Sequence, residues 1–330
     1  MLAAALIVPL IVAGGILFEV LGEAWDSWRW PPTGSLQDIG GHRLHIDREG
    51  EGGPVVVFES GIAASSLSWK LVQPRVAEFA RTCSYDRAGL GWSDASRTPP
   101  SLDAIVHDLR ALLSAAGLPG PYIFVAHSFG GLVARWYVLH YPDEIAALVL
   151  VDPLAACEWA HPDDAHKRML ARGVRLSRRG KMLARFGVVR LCLVLAMAGA
   201  RSLPKLVARL TSGGAKTPDR MTGEIRKLPR EVWPMVKSHW CRPKCFEAMA
   251  RHLEWLPENS AAVLAAAVPE KIPVTVLAPF DCAEGRLREY DEMTKRSRAG
   301  WQVRMKDCGH WIHLDQPEAV VAAIREMAGA

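Results

Sequence analysis

The sequence predicts an α/β fold in which helices flank a mostly parallel sheet and a helical segment interrupts that sheet. Short strand patterns alternate with amphipathic helical patterns between residues 35 and 151. Such alternation is typical of parallel strands that are connected by helices. From residue 154 to about residue 268 the strand patterns stop and helical patterns replace them. Strand patterns then resume, so we expect one sheet that is completed after a helical insertion.

The predicted elements follow one another in a regular order. Gly40-Gly41 and residues 49–53 provide the turns between the first strands. Strand patterns occupy residues 35–39, 42–46, 55–58, 83–85, 122–125, 146–151, 274–277 and 302–305. Helical spacing of apolar residues occupies residues 102–116, 132–140 and 317–327. The last of these helices follows the final strand, and we expect it to pack on the sheet as the last element of the fold.

The composition indicates a folded protein without a metal site or a disulfide framework. Of 330 residues, 50% are hydrophobic and 23% are charged, which is too apolar for a disordered chain. The seven cysteines include no CxxC pair, which argues against structural zinc and against a set of disulfides. No phosphate-binding loop, dinucleotide fingerprint or nucleic-acid motif occurs. We therefore expect no cofactor, no metal and no nucleic-acid partner.

The first 30 residues predict a segment that associates with a membrane. Residues 1–18 carry no charge and approach the length of about 20 residues that a transmembrane helix needs. Glu19 ends this run, and Trp25, Trp28 and Trp30 follow where interfacial tryptophans would lie. A cleaved signal peptide and a buried helix are the alternatives, but the run lacks a basic start and an evident cleavage site. We expect an uncleaved single-pass anchor of unpredicted orientation.

One short motif predicts a catalytic serine. Ala126-His127-Ser128-Phe129-Gly130 lies between a buried strand pattern and a helical pattern. A serine on such a sharp turn projects its hydroxyl above the carboxyl edge of the sheet, and the strained backbone needs small residues two positions to either side. Ala126 and Gly130 meet this requirement, although glycine is more usual at the first position. We predict Ser128 as the nucleophile.

Five sequence blocks resemble the α/β hydrolase superfamily from about residue 36 to the C-terminus. They are FESGI from Phe58, YDRAGLGWS from Tyr85, the serine turn, LVLVDP from Leu148 and GHW from Gly309. The resemblance implies an eight-stranded, mostly parallel sheet, hydrolysis by a Ser-His-acid triad, and a helical cap inserted after the sixth strand. It divides the chain after residue 30 into a first part of the core at 31–153, a cap at 154–268 and a second part of the core at 269–330.

His310 is the predicted general base. A serine hydroxyl is a poor nucleophile and needs an adjacent base. His310 follows a glycine, after the last strand pattern and before the final helical pattern, and the resulting order of serine, acid and histidine is that of the superfamily. His313 is the competing histidine, and we expect it to begin or precede the helix.

Two aspartates compete for the role of the acid. Asp281 follows the penultimate strand, where the superfamily most often carries the acid, but its loop lacks the usual Gly-x-x-Asp pattern. Asp152 ends the sixth strand, which is the alternative position in the superfamily. The tail after His310 resembles that of members that often lack a carboxylate at the later position. We favour Asp152, keep Asp281 as the alternative, and place Glu284 and Asp291 behind both.

Two backbone N–H groups are predicted to form an oxyanion hole. Phe129 follows the nucleophile, and Ile62 lies in the turn after the third strand pattern, where Gly61 lets the backbone approach closely. In this turn, Ser-Gly stands where the superfamily has His-Gly. We also assign Gly61 and His127 to substrate binding. The YDRAGLGWS block is interpreted as structural.

The cap contains an uneven charge distribution. Between residues 165 and 218 there are thirteen Lys or Arg and no acidic residue. The rest of the chain therefore contains 27 of the 40 basic residues and all 35 acidic residues, so it carries a net negative charge. Arginines recur near helical spacing at Arg172, Arg175, Arg178, Arg179 and Arg185, and residues 188–200 are almost wholly apolar. A solvated face of a cap helix explains this pattern, and so does an amphipathic surface that docks on anionic lipid. The apolar run is too short for a second membrane span.

Together these features predict a membrane-associated serine hydrolase that acts on a small-molecule or lipid-like ester through an acyl-Ser128 intermediate. Haloalkane dehalogenases and epoxide hydrolases of this fold use a carboxylate nucleophile, which Ser128 is not. Hydrolysis of a C–C bond or a peptide by the same fold remains an alternative. A catalytically weak ligand receptor is the alternative from another functional class, and a full Ser-His-acid set argues against it. The oligomeric state is not predicted.

Overall fold

An eight-stranded sheet forms the centre of the structure, a computed structural model that describes residues 2–197, 226–266 and 269–330. The strands are β1 (Ser35–Asp38), β2 (Arg43–Glu49), β3 (Val55–Glu59), β4 (Arg81–Tyr85), β5 (Tyr122–His127), β6 (Ile145–Val151), β7 (Val274–Pro279) and β8 (Gly300–Met305). Their order across the sheet is β1-β2-β4-β3-β5-β6-β7-β8. β2 runs antiparallel to β1 and β4, and every other neighbouring pair is parallel. The predicted α/β hydrolase fold with a mostly parallel sheet is confirmed.

Helices cover both faces of the sheet and occupy most of the described residues between β6 and β7. They are α1 (Leu2–Arg29), α2 (Gln73–Val76), α3 (Leu102–Ala115), α4 (Gly130–His140), α5 (Ala156–Ala160), α6 (Asp164–Arg185), α7 (Val188–Met197), α8 (Trp233–Cys241), α9 (Pro243–Glu254), α10 (Leu256–Leu264), α11 (Glu284–Arg296), α12 (Ile312–Asp315) and α13 (Pro317–Ala328). We call α5 to α10 the cap. The predicted cap boundary at residue 268, and the basic stretch from residue 198 to residue 218, lie outside the described residues.

The central strands are uninterrupted apolar runs because both faces of the sheet are covered. Alternate residues of β3 belong to two different cores: Val57 packs with residues of α3 and α4, whereas Val56 and Phe58 pack with residues of α2 and α13. β5 and β6 alternate in the same way. The parallel strands therefore share one carboxyl edge, and the loops that leave this edge come together there.

Most predicted strands are longer in the structure than their apolar patterns. In β4, for example, Arg81 and Thr82 pair with Val55 and Val56 of β3, although neither is apolar. Backbone hydrogen bonds extend a strand regardless of side-chain polarity, so a pattern of apolar residues underestimates its length. Helix α4 also begins earlier than its apolar pattern, at Gly130 rather than at residue 132, because backbone hydrogen bonds form a helix regardless of side-chain polarity.

The N-terminal helix is also longer than expected. The sequence indicated an anchor that ends near Glu19, but α1 continues for 28 residues to Arg29. Glu19 and Asp26 are buried in this helix because both form ion pairs with Arg190 of α7. Glu19, which we interpreted as the end of the apolar segment, thus joins α1 to the cap together with Asp26.

The basic face of α6 is partly neutralised by another cap helix. Arg178 forms an ion pair with Glu254 at 2.5 Å, and Lys181 pairs with Glu247 at 2.9 Å. Both carboxylates lie on α9, which packs along α6. The acid-free stretch therefore has less unpaired charge than its sequence alone indicates.

Candidate active site at the carboxyl edge of the sheet

Ser128 lies on a tight turn between β5 and α4. Its backbone is in the left-handed region, with φ at 54°, a conformation that non-glycine residues adopt mainly where the surrounding structure enforces it. The turn is enforced by close packing. A Cβ at Gly130 would lie 2.6 Å from the carbonyl oxygen of Glu59, and one at Gly131 would lie 2.7 Å from Cβ of Pro153. The motif thus needs glycine at both positions to present Ser128 at the sheet edge.

His310 and Asp152 meet at the same edge. Asp152 follows the last residue of β6 and also has a positive φ, at 40°. Nδ1 of His310 lies 2.6 Å from Oδ2 of Asp152. The carboxylate is 2% exposed and is held from two sides: its backbone N–H donates to the carbonyl of Leu277 at 2.7 Å, and the hydroxyl of Tyr290 donates to Oδ1 at 3.3 Å.

The other carboxylates named from the sequence lie elsewhere. Asp281 and Glu284 are exposed, and Asp291 forms an ion pair with Lys295 on the surface of α11. Among the described residues, no hydrogen bond joins Asp281 to His310. Of the two competing aspartates, only Asp152 is therefore in contact with the histidine.

His313, the competing histidine, is a core residue. It lies in α12, is fully buried and packs against Trp69 with ring centroids 4.5 Å apart. Burial, with a smaller effect of nearby His310, lowers the pKa of His313 to about 3. It is therefore a neutral packing residue.

His127 supports the main chain of His310. Its Nε2 lies 2.9 Å from the carbonyl oxygen of His310, an acceptor, so Nε2 carries the proton. Burial, followed by the neighbouring His313 and His310, holds the pKa of His127 well below its usual value. The side chain is 1% exposed, which favours a positioning role over the substrate contact that we assigned to it from sequence.

The turn after β3 lies against the nucleophile. A Cβ at Gly61 would be 3.3 Å from Cβ of Ser128 and 3.0 Å from Nδ1 of His127. Within the described residues, the N–H groups of Ile62 and Phe129 donate to no protein acceptor. Unpaired backbone donors beside a nucleophile are what an oxyanion hole requires. We therefore propose Ile62 and Phe129 as its two donors.

Arg87, a buried arginine of the YDRAGLGWS block that the sequence analysis interpreted as structural, holds this turn. Arg87 donates to the carbonyl of Ser60 at 2.6 Å and to the carbonyl of Gly61 at 2.5 Å. It also pairs with Glu59, which in turn accepts from Tyr85. The C=O and N–H of one planar trans peptide point in opposite directions. Because Arg87 holds the Gly61 carbonyl, it directs the N–H of Ile62 to the opposite side.

The rest of the YDRAGLGWS block braces the same turn. Asp86 accepts from the backbone N–H of Ser66 at 2.7 Å and of Trp92 at 3.0 Å. It also pairs with His45 at 3.0 Å. Burial alone would raise the pKa of Asp86, but these hydrogen bonds, chiefly that of His45, lower it to about 2. The structural interpretation of this block thus agrees with its contacts.

The family model for the alpha/beta hydrolase fold matches residues 54–197. This segment contains the Ser128 turn and Asp152, and the site geometry described above matches what the fold provides.

Residues 54–197 thus match the α/β hydrolase family, and the described chain has the α/β hydrolase fold.

Two curated relatives differ in how much of their length matches. YqjL of Bacillus subtilis, an uncharacterised protein, is 35% identical over 129 residues, which are 38% of this chain and 50% of YqjL. Lipase LipV of Mycobacterium tuberculosis is 29% identical over 294 residues, which are 87% of this chain and 98% of LipV. The chain thus spans half of the first relative and almost all of the second.

Solved α/β hydrolases share the fold at lower identity. The epoxide hydrolase CorEH superimposes with a TM-score of 0.63 at 18% identity. The matched region covers 89% of this chain and 98% of the CorEH chain. A thermophilic esterase from Thermogutta terrifontis superimposes with a TM-score of 0.59 at 24% identity and covers 86% and 92%, respectively. Likeness at this level of identity establishes the architecture and leaves the reaction to the site residues.

The first prediction separates the two candidate acids. Asp152→Asn should lower the turnover of a p-nitrophenyl ester by about a hundredfold or more, because the amide cannot stabilise a protonated His310. Asp281→Asn is the matched control and should leave turnover nearly unchanged, since its side chain is exposed. Equal small losses from both changes would mean that another group orients His310.

The second prediction concerns Arg87. Arg87→Met should lower kcat by about a hundredfold, the usual cost of losing one oxyanion donor, while KM changes little. A boronic acid inhibitor that mimics the tetrahedral intermediate should lose affinity in parallel with kcat. Arg135→Met is the control, because Arg135 is a similarly buried arginine that pairs with Glu289 and not with the Gly61 turn. Similar stability losses with kcat unaffected in both variants would reduce Arg87 to a fold-stabilising residue.

Proposed function

We propose that the protein is a serine hydrolase that cleaves carboxylic esters through an acyl-Ser128 intermediate. One observation carries the proposal: the strained Ser128 turn and the pair of buried Asp152 and partly buried His310 lie at one edge of the sheet. Nucleophile, base and orienting acid are the three parts of a Ser-His-acid triad. The similarity to a protein named as a lipase over nearly its whole length supports the same class of reaction.

In the proposed mechanism, the two ring nitrogens of His310 have different roles. Because Nδ1 of His310 is bonded to Asp152, Nε2 is the nitrogen that accepts the Ser128 proton. The serine oxygen then attacks the ester carbonyl, and the N–H groups of Ile62 and Phe129 stabilise the negative charge on the former carbonyl oxygen. Nε2 returns the proton to the leaving alcohol. Water, deprotonated by the same nitrogen, releases the acid from Ser128.

The nucleophile separates this chain from other enzymes of the fold that it resembles. Epoxide hydrolases and haloalkane dehalogenases with this architecture attack through a carboxylate, whereas residue 128 is a serine. The shared architecture with CorEH therefore does not extend to its reaction. Hydrolysis of a C–C bond or a peptide would use the same triad, and substrate turnover is the way to distinguish those alternatives from ester cleavage.

We also propose that the enzyme is anchored to a membrane and that its ester is lipid-like. The part of α1 from Ile7 to Arg29 contains an 18-residue window of mean hydropathy 1.9 that is only 6% buried. A core helix would be mostly buried, so this exposure favours a membrane over the protein interior. The remaining basic face of the cap would lie close to anionic headgroups if the cap rests near the bilayer.

The third prediction tests the triad as a unit. Ser128→Ala and His310→Ala should each abolish most ester turnover, and the double variant should be little worse than either single one. A fluorophosphonate probe should label the wild type at Ser128 and should label His310→Ala much more slowly. Multiplicative losses would mean that Ser128 and His310 do not act as one unit, whereas a wild type that resists the probe would favour a ligand receptor with an inactive serine.

The fourth prediction tests the anchor. Protein expressed from the full sequence should sediment with membranes and should resist extraction by salt and alkaline carbonate, because apolar insertion does not depend on charge. Its intact mass should retain the first 30 residues. Release by salt would contradict the anchor. A mass that lacks these residues would also contradict it and would identify the segment as a cleaved signal.

A further inference from the structure

The second half of α1 has one face that packs on the cap. Gly15, Glu19, Gly22 and Asp26 are spaced by four, three and four residues, so they lie along one side of the helix. A Cβ at Gly15 would overlap the carbonyl oxygen of Phe186, and a Cβ at Gly22 would lie 2.5 Å from Nε of Arg190. The small residues thus let α1 approach the α6–α7 turn and α7 closely.

A buried ion cluster joins the two helices across this contact. Nε and Nη2 of Arg190 contact the two carboxylate oxygens of Glu19 at 3.0 and 2.9 Å, and Nη1 contacts Asp26 at 2.5 Å. All three residues are less than 5% exposed. Arg190 is the sole charged residue of α7. A buried charge is costly unless it is paired, so Arg190 requires α1 in this position.

We call the packing of α1 on the α6–α7 turn and α7, together with the Arg190 ion cluster, the joint. Further polar contacts extend the joint along α1. Arg242, which follows α8, donates to the Ser27 hydroxyl at 3.0 Å and lies 3.5 Å from Glu23. The indole N–H of Trp92 donates to the carbonyl of Trp30 at 3.2 Å. The end of α1 is therefore attached to the cap and to the loop that braces the active site.

The outer surface of this joint has the opposite character. On α1, Leu17, Val20, Leu21, Trp25 and Trp28 are all exposed. On α7, Leu191 and Val194 are exposed, and Cys192 between them is partly exposed. Charges are thus paired inside and large apolar side chains face outward, the reverse of a surface that contacts water.

We propose that α1 and α7 form one lipid-facing surface, joined by the Arg190 cluster, which holds the cap against the acyl chains of a bilayer. The occupant is lipid because the exposed residues of α7 adjoin a helix that is itself long and apolar enough to cross a membrane. This inference rests on the anchor in the proposed function and adds the cap to it. An ester dissolved in the same leaflet would then reach the cap without crossing water.

The test is photo-crosslinking of the full chain in phosphatidylcholine–phosphatidylglycerol vesicles that contain a phospholipid with a diazirine on its acyl chain. Lipid adducts are mapped by mass spectrometry to the α1 peptides and to the peptide that carries Leu191, Cys192 and Val194. We expect adducts on both α1 and α7. Adducts on α1 alone mean that protein or water covers α7, which overturns the inference while leaving the anchor intact. A chain that does not remain with the vesicles contradicts both.

Two adjacent glycines provide a matched pair of variants. Gly15→Leu forces α1 away from the α6–α7 turn, whereas a Cβ at Gly14 meets nothing within 4 Å. Both variants add the same apolar side chain and should stay in the membrane. We expect Gly14→Leu to keep the α7 adducts and Gly15→Leu to lose them. Identical adducts in the two variants would show that α7 meets lipid without the joint, against the inference.

The ion cluster offers a second, independent set of variants. Arg190→Met leaves Glu19 and Asp26 buried without a partner, so the melting temperature and the α7 adducts should both fall. Adding Glu19→Leu and Asp26→Leu removes every unpaired charge and should restore both, because a buried ion pair can be replaced by apolar residues. A triple variant no better than Arg190→Met would mean that the cluster does not act through charge pairing, and would overturn its role as the joint.

Discussion

The hydrogen bond between Nδ1 of His310 and Asp152 is the contact on which the rest of the site depends. It occupies Nδ1 and leaves Nε2 for the proposed proton transfer from Ser128, and its carboxylate would stabilise a protonated imidazole. The surrounding structure keeps this carboxylate in place: β6 ends at Val151, the Asp152 backbone is anchored to Leu277 on β7, and Tyr290 of α11 covers the other oxygen. Elements from three parts of the chain converge on one side chain.

Buried arginines recur where the structure needs a precise junction. Arg87 joins the oxyanion turn to the sheet through Glu59, and Arg190 joins the N-terminal helix to the cap. In each case a guanidinium bridges groups that are distant in sequence. Removing one partner leaves an uncompensated buried charge, which is far more costly than replacing the whole set. Such junctions make the candidate active site and the contact between α1 and the cap sensitive to single substitutions.

Local patterns were sufficient to predict the fold and the nucleophile. Apolar periodicity identified all eight strands, because central strands that are buried on both faces appear as continuous apolar runs. The serine turn was readable because its small residues and its position between strand and helix are properties of adjacent residues. The sequence did not decide between Asp152 and Asp281 as clearly. That choice depends on which strand end lies next to His310, and Asp152 and His310 are 158 residues apart in the chain.

Long-range pairing explains the other differences between the sequence predictions and the structure. Glu19 looked like the end of an anchor because its partner Arg190 lies 171 residues away. The basic face of α6 looked unpaired because Glu254 lies 76 residues beyond Arg178. Arg87 looked like an ordinary loop residue because its acceptors are main-chain carbonyls on another loop. Side-chain type along the chain carries no information about such partners.

The central claim is that Ser128 forms a covalent acyl intermediate that is assisted by the Asp152–His310 pair. The most direct measurement is rapid acid quenching of the enzyme during turnover of a p-nitrophenyl ester in H₂¹⁸O, followed by peptide mass spectrometry. The account predicts a transient acyl adduct on the peptide that contains Ser128, with no ¹⁸O incorporated into the protein. Three results would contradict this claim: an acyl adduct on another residue, incorporation of ¹⁸O into a carboxylate of the enzyme, or turnover during which no adduct accumulates.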